Sequence, residues 1–373
     1  MAEAREILSL IEHLAPSGLA EPWDNVGFMV GSGREKVKKA ALSLDPTLEN
    51  IKAAHEKGAQ LLLTHHPLIF TPLTKIDPDE PSAAAVALAL KLGITVISAH
   101  TNLDAAENGV SWSLARRFGL KGVRVLQPST FSTQTKLVVF VPLGYETRVR
   151  QALFQAGAGR IGEYAGCSFA GRGEGTFIPS GEAEPFTGQA GRSERVPESR
   201  LEVLVETRFL DAAIAAMKNA HPYEEAAYDV YPLADPVGRY GIGCVGRLDK
   251  ALDINGLTEL VKVKLDINTL RLAASVQDLI EVVAVVGGSG GDYLALARAR
   301  GAQALISGDF SYHHARDAKA LGLALIDAGH FATEIPGLWD LADRLSQSAE
   351  KAGLEVEFEI LTGEEDPWST LKE

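Results

Sequence analysis

The block GAQLLLTHH, beginning at Gly58, is echoed far along the chain by GAQALISGDF, beginning at Gly301. The echo continues downstream of each block. KLGITVISAHTNLD (91–104) follows the first, and ALGLALIDAGHFATE (320–334) follows the second. Each half reads Gly-Ala-Gln, strand, loop, helix, Leu-Gly, strand, His-x-x-x-acid, with one residue inserted before His330 to align them. Chance explains three matching letters, but not this whole series of elements in the same order. A duplicated unit predicts two pseudo-symmetric halves whose equivalent strands end near one another. Ligands in α/β sheets bind at such carboxyl ends.

Hydrophobic periodicity supports that class. Ile7, Leu8, Ile11 and Leu14 follow helical spacing. KKAALSLD (38–45) reads as a buried strand ending in an acid. PTLENIKAAHEKG (46–58) reads as a helix with Pro near its start and Gly at its end. QLLLTHH (60–66), the helix over 82–92 and ITVISAH (94–100) continue the alternation, which implies a sheet with helices packed on it. The texture changes near residue 127. KLVVFVP (136–142), a helix over 145–156, exposed hairpins or a loop over 171–199, LEVLVET (201–207), a helix over 209–219 and AAYDVYPL (226–233) form a small α+β module. The expected organisation is 1–126 as a first half, 127–236 as an insert and 237–373 as a second half. The polar tail GEEDPWSTLKE (363–373) reads as weakly ordered.

Composition narrows the function. The 373 residues are 46% hydrophobic and 23% charged, which argues against disorder along most of the length. Lys and Arg total 36 against 49 Asp and Glu, a formal net charge of −13. An acidic chain gains little from releasing phosphate counterions, which disfavours a nucleic-acid partner. Two cysteines, Cys167 and Cys244, make neither a disulfide framework nor a Cys-x-x-Cys site. No apolar stretch approaches the roughly 18 residues of a membrane span, and the N-terminus is unlike a signal peptide. The expectation is a cytoplasmic protein with no membrane partner.

Five of the nine histidines fall at the ends of the repeated unit: His65, His66, His100, His330 and one of His313 or His314. Neighbours at a strand end point to opposite sides, so His65 and His66 suit two adjacent ions, or an ion and a substrate, better than one ion. His100 and Asp104 are four apart, as are His330 and Glu334, a spacing that aims two side chains at one point. Imidazole and carboxylate without thiolate suit zinc, iron or manganese. Asp309 reads equally as an outer partner or general base with His314, or as the N-cap of a helix over 310–320. VAVVGGSGGDYLALARA (283–299) is a strand, glycine turn and helix. It reads as a tight turn beside the site or, more weakly, as an anion cradle.

Trp23-Asp24-Asn25-Val26-Gly27, LLTHHPL (62–68), SAHTNLD (98–104), VVGGSGGD (285–292), SGDFSYHHA (307–315) and DAGHFATE (327–334) together resemble the NIF-three-like family, whose members carry the label GTP cyclohydrolase I type 2 homolog. AHPYEEAAYDVYPL (220–233) and YGIGCVGRL (240–248) resemble the longer bacterial members with an inserted CutA/PII-like module. The resemblance implies an α/β fold of two related halves, a toroidal homohexamer, and a dinuclear site facing the ring's interior. It implies two divalent transition-metal ions per subunit, held by His65, His66, Asp104, His330 and Glu334. His100 is then a substrate contact or outer partner. Two functions follow as expectations. One is a metal-dependent hydrolase of a nucleotide or phosphoester, GTP cyclohydrolase chemistry included, in which His100 or His314 moves the proton. The other is a non-catalytic metal-binding or regulatory protein with a ligand-sensing insert.

Overall fold

Runs such as Leu61–Thr64 are buried at every position. Strands of that kind belong at the centre of a parallel sheet covered on both faces. The structure is a computed structural model that describes residues 1–129, 134–233, 239–274 and 279–369. It divides into two compact units, Met1–Ser129 with Gly238–Glu373, and Thr130–Val237.

The larger unit is mixed α/β and holds two sheets. The first runs Glu357–Ile360, Lys39–Ser43, Leu61–Thr64, Thr95–Ser98, Gly27–Val30 from edge to edge. Its first four strands are parallel and Gly27–Val30 is antiparallel. The second runs Arg271–Ala273, Ala324–Asp327, Ala304–Gly308, Ile280–Ser289, Gly241–Leu252, Lys121–Pro128. Its central three strands are parallel and the others antiparallel. The two Gly-Ala-Gln segments do the same work. Gln60 Oε1 accepts from the amides of Lys38 and Lys39 at 2.8 and 3.2 Å. Gln303 Oε1 accepts from those of Glu281 and Val282 at 2.8 and 3.0 Å. Each glutamine satisfies amides at the start of the neighbouring strand, where the ladder alone leaves them open.

Helices Leu48–Glu56 and Pro81–Leu92 bury Ile51, Ala54, Val86 and Ala89 against Leu62 and Val96 of the first sheet. Thr47 caps the first of these helices by accepting from Asn50 N, and Gly93, left-handed, ends the second. No helix among the described residues is long and apolar enough to cross a membrane.

The strand Lys121–Pro128 outlasts the change of texture. Gln127 and Pro128 still pair with Ile242 and Gly241, and Ser129 N donates to Tyr240 O at 2.9 Å. The 236/237 junction expected from sequence lies outside the described residues. Since the chain leaves and re-enters the larger unit on adjacent antiparallel strands, a short Asn-Gly turn can replace residues 130–237. The deletion variant is expected to fold and to bind metal as the full chain does, checked by circular dichroism and elemental analysis. A folded variant without metal would show that the smaller unit holds part of the site.

The smaller unit is strand Gln134–Pro142, helix Glu146–Gln155, strands Ser168–Phe177 and Glu194–Glu206, helix Leu210–Ala220, strand Tyr228–Pro232. Spatially the strands run second, third, first, fourth, all antiparallel. That is the split βαβ arrangement of ferredoxin-like βαββαβ modules. Leu137, Val139 and Val141 alternate inward and meet Val149, Leu153, Ala213 and Met217 of the helices.

Candidate metal centre

The candidate ligands sit where the parallel strands end. His65 and His66 follow Leu61–Thr64, His100 and Asp104 follow Thr95–Ser98, and His330 and Glu334 follow Ala324–Asp327. His100 stands at the N-terminus of helix Thr101–Ala105, and His330 opens helix His330–Lys351. One turn of helix brings His330 Nε2 to 3.0 Å from Glu334 Oε1.

His65 and His66 converge rather than diverge, their ring centroids 5.1 Å apart. Strand alternation stops at Thr64, whose hydroxyl donates back to His66 O at 2.7 Å and turns the chain. Glu334 lies among the rings: its Oε1 is 3.6 Å from His65 Nε2, and its Oε2 is 3.1 Å from His66 Nε2. Asp104 Oδ1 is 3.6 Å from His65 Nε2. Two sets of donor atoms are close enough to share an ion, His65–His66–His100 and His66–His330–Glu334.

Every imidazole of the cluster is oriented by its Nδ1. His65 donates to Ala99 O at 2.9 Å, His66 to Asp45 Oδ1 at 2.7 Å, His100 to Asp24 Oδ1 at 2.8 Å and His330 to Asp309 Oδ2 at 2.7 Å. A carboxylate or carbonyl on Nδ1 leaves the Nε2 lone pair as the inward donor, the arrangement of metal-binding histidines. The Nε2 atoms of His66 and His330 then face each other at 3.3 Å. Neutral rings so placed oppose two lone pairs unless a cation or proton lies between them. His65 Nε2, Asp104 Oδ1 and Glu334 Oε2 are buried without a hydrogen bond. Groups so costly to leave unsatisfied, in this donor set, fit a metal ion.

The electrostatics express the same demand for positive charge. Burial opposes a charge on His66, but Asp45 and Glu334 outweigh it and push its pKa up to about 10. Glu334, helped by Asp309, pushes His330 up to about 9 against its burial. Burial raises the Asp104 carboxyl. Burial would raise Glu334 too, but the surrounding His65, His330 and His66 hold it well below the usual carboxylate range. Protons or metal ions can meet that demand, and ligands must shed the protons to take the ions.

The glycine turn beside the site works by close approach. Gly288 has φ +63°, and a Cβ there would overlap Glu334 Oε1 and lie 3.1–3.2 Å from the His330 ring. Asp309 is an outer partner of His330 and not a helix cap. Ser311 is the cap of helix Tyr312–Leu321, accepting from His314 N at 3.2 Å. His314 completes that capping box through Nδ1. Among the described residues no hydrogen bond, ion pair or ring contact joins His314 to the cluster.

Three groups that matter here were not singled out as site residues by sequence. Asp24 orients His100 and also accepts from Thr101 N at 3.0 Å. With those partners overcoming its burial, its carboxyl falls to about 2. Its signal was the Trp23–Gly27 motif. Asp45 orients His66, and its signal was the acid ending an apolar strand. Glu364, in the tail expected to be weakly ordered, accepts from Leu44 N, Asp45 N and Asn50 Nδ2, each at 2.8 Å. It thereby holds the loop that carries Asp45.

The Duf34/NIF3 (NGG1p interacting factor 3) family model matches residues 2–367. A Halalkalibacterium halodurans protein named GTP cyclohydrolase 1 type 2 homolog is 39% identical over 335 residues, covering 90% of each chain. The crystal structure of a Bacillus cereus protein related to NIF3 superposes with a TM-score of 0.81 at 36% identity, covering 99% of both chains. That of Staphylococcus aureus protein SA1388 gives 0.79 at 26% identity, with the same coverage. With the match running through both sheets, the insert and every residue of the cluster, the chain belongs to the Duf34/NIF3 family.

Proposed function

We propose that the protein binds two divalent transition-metal ions and uses them to hydrolyse a nucleotide or phosphoester. The observation that carries this reading is the convergence of four imidazoles, each with Nδ1 tied outward, three of which, His65, His66 and His330, approach the buried Glu334. In this reading His65, His66, Asp104, His330 and Glu334 would hold the ions, with Glu334 approached by His65, His66 and His330. Bound ions supply Lewis acidity toward a phosphoryl or purine group and lower the pKa of water. GTP cyclohydrolase chemistry enters from the names of the curated relatives. His100, its Nδ1 held by Asp24, is the residue suited to move a proton, in preference to the helix-capping His314. The site is open at His330, whose side chain is 37% exposed while that of Glu334 is 4% exposed.

A planar substrate has a surface to rest on. Trp23 and Phe70, 59% and 53% exposed, meet with ring centroids 5.8 Å apart, and Trp23 stands 6.3 Å from the His100 ring. Stacking on an aromatic side chain is worth about 1–3 kcal/mol per base. Trp23→Ala is therefore expected to raise KM for a nucleotide about tenfold with kcat little changed, read by steady-state kinetics.

The same order of three parallel strands in each sheet, flanked on one side by an antiparallel strand, and the matching roles of Gln60 and Gln303 support an origin by duplication. The βαββαβ order of the smaller unit supports a CutA/PII-like insert. A toroidal homohexamer is proposed on the family resemblance, with light scattering as its test.

The deciding experiment is metal reconstitution followed by a turnover screen against nucleotides and phosphoesters, with His65→Ala as control. Elemental analysis is expected to find about two ions per chain, since five N/O ligands exceed one open site. Trace metal after reconstitution would overturn the metal reading. Stoichiometric metal without turnover of any substrate would favour the second reading, a non-catalytic metal-binding or regulatory protein, which a cavity in the smaller unit also supports.

A further inference from the structure

Within the unit Thr130–Val237, far from any metal ligand in sequence, lies a cavity of about 290 Å³ lined by Phe177, Phe186, Tyr223, Glu198, Glu224 and Glu225 among others. That is near the lower end of ligand pockets, of the order of 300 Å³, and suits a small molecule rather than a peptide. Three rings form walls. Phe177 and Tyr223 have centroids 6.3 Å apart at 57°, and Phe186 and Tyr223 are 5.9 Å apart at 42°. Phe186 is 51% exposed and adds nothing to the core beneath the helices.

The charge in the cavity is of one sign. Three glutamates line it, and among the described residues no lysine or arginine does. Glu224 is engaged locally, accepting from Glu184 N at 3.2 and 3.3 Å. Glu198 is different: it is 8% exposed, and its side-chain partner is the Tyr223 hydroxyl, which donates to Oε1 at 3.1 Å. Burial and the nearby Glu198 push Tyr223 up to about 12, so it remains a neutral donor. The adjacent His221 supplies no counter-charge. Its Nε2 donates to Phe140 O at 2.9 Å, its Nδ1 accepts from Tyr223 N at 3.1 Å, and burial lowers its pKa. Gly175 on the neighbouring strand leaves room for Glu198 Oε2, which a Cβ would overlap. A carboxylate buried without a cation is costly.

We propose that this cavity binds a small alkylated ammonium ion, with the faces of Phe177, Phe186 and Tyr223 around its alkyl groups and Glu198 as its counter-charge. Aromatic faces attract such cations through the ring quadrupole. A hard metal ion would need several oxygen ligands in place of the rings.

The test uses the full-length protein and isothermal titration calorimetry with choline, tetramethylammonium and 3,3-dimethyl-1-butanol, the neutral isostere of choline. Both cations are expected to bind at one site per chain, and the neutral isostere at least about tenfold more weakly. Glu198→Gln keeps the shape and an acceptor for Tyr223, and is expected to weaken choline binding at least about tenfold with metal content unchanged. Phe186→Ala removes a half-exposed ring that the fold does not need, and is expected to weaken both cations severalfold. Equal binding of choline and its isostere overturns the proposal. So does wild-type affinity in Glu198→Gln, or no binding of either cation.

Discussion

Glu334→Gln is expected to strip the protein of at least one metal ion and of any hydrolytic activity while the fold survives. The substitution preserves shape but removes the one carboxylate that His65, His66 and His330 all approach. Two dications held close need that negative charge between them. The neutral amide would also present an NH₂ group to rings whose Nε2 must act as acceptors. The fold is expected to persist because the site lies at strand ends and in the first turn of a helix, outside the packed interior of either sheet. The measurement compares metal content and turnover of the wild type and Glu334→Gln on the best substrate of the screen. Unchanged turnover with the metal gone would make the site non-catalytic and favour the metal-binding reading.

Gly288→Ala is the second large effect, and it acts without removing a ligand. The added methyl group would overlap Glu334 Oε1 and crowd the His330 ring. Residue 288 also sits at φ +63°, where a non-glycine residue costs about 1–2 kcal/mol. The carboxylate must therefore move off the point where three imidazoles meet. Metal affinity is expected to fall about 10–100-fold, as when a group that positions ligands is lost. Competition titration against a chelating dye measures it. A wild-type affinity would mean that the Glu334 carboxylate does not need its present position to hold metal.

The alternation of short apolar strands with helices was legible because periodicity is local: four buried residues in a row, or a stripe at helical spacing, signals itself within ten residues. The Gly-Ala-Gln echo was legible because the same letters recur in the same order, each glutamine satisfying amides of the neighbouring strand. The candidate ligands were legible because chemistry confines histidine pairs and His-x-x-x-acid spacings to few places. What the chain alone could not disclose was orientation. Strand alternation predicts that His65 and His66 diverge, but the strand ends at Thr64, before either of them, so that rule does not apply. Asp309 was ambiguous between cap and partner until Ser311 proved to cap the helix. The partners that turn each Nε2 inward are remote: Asp24 is 76 residues from His100, and Asp45 is 21 from His66. Glu364 reaches Leu44 across 320 residues, so no local pattern could mark the tail as ordered. Residue types and spacing, which sequence carries directly, determined which side chains could bind metal. Only the packing of distant segments decided which atoms they present, because a hydrogen bond between remote residues leaves no periodicity to read.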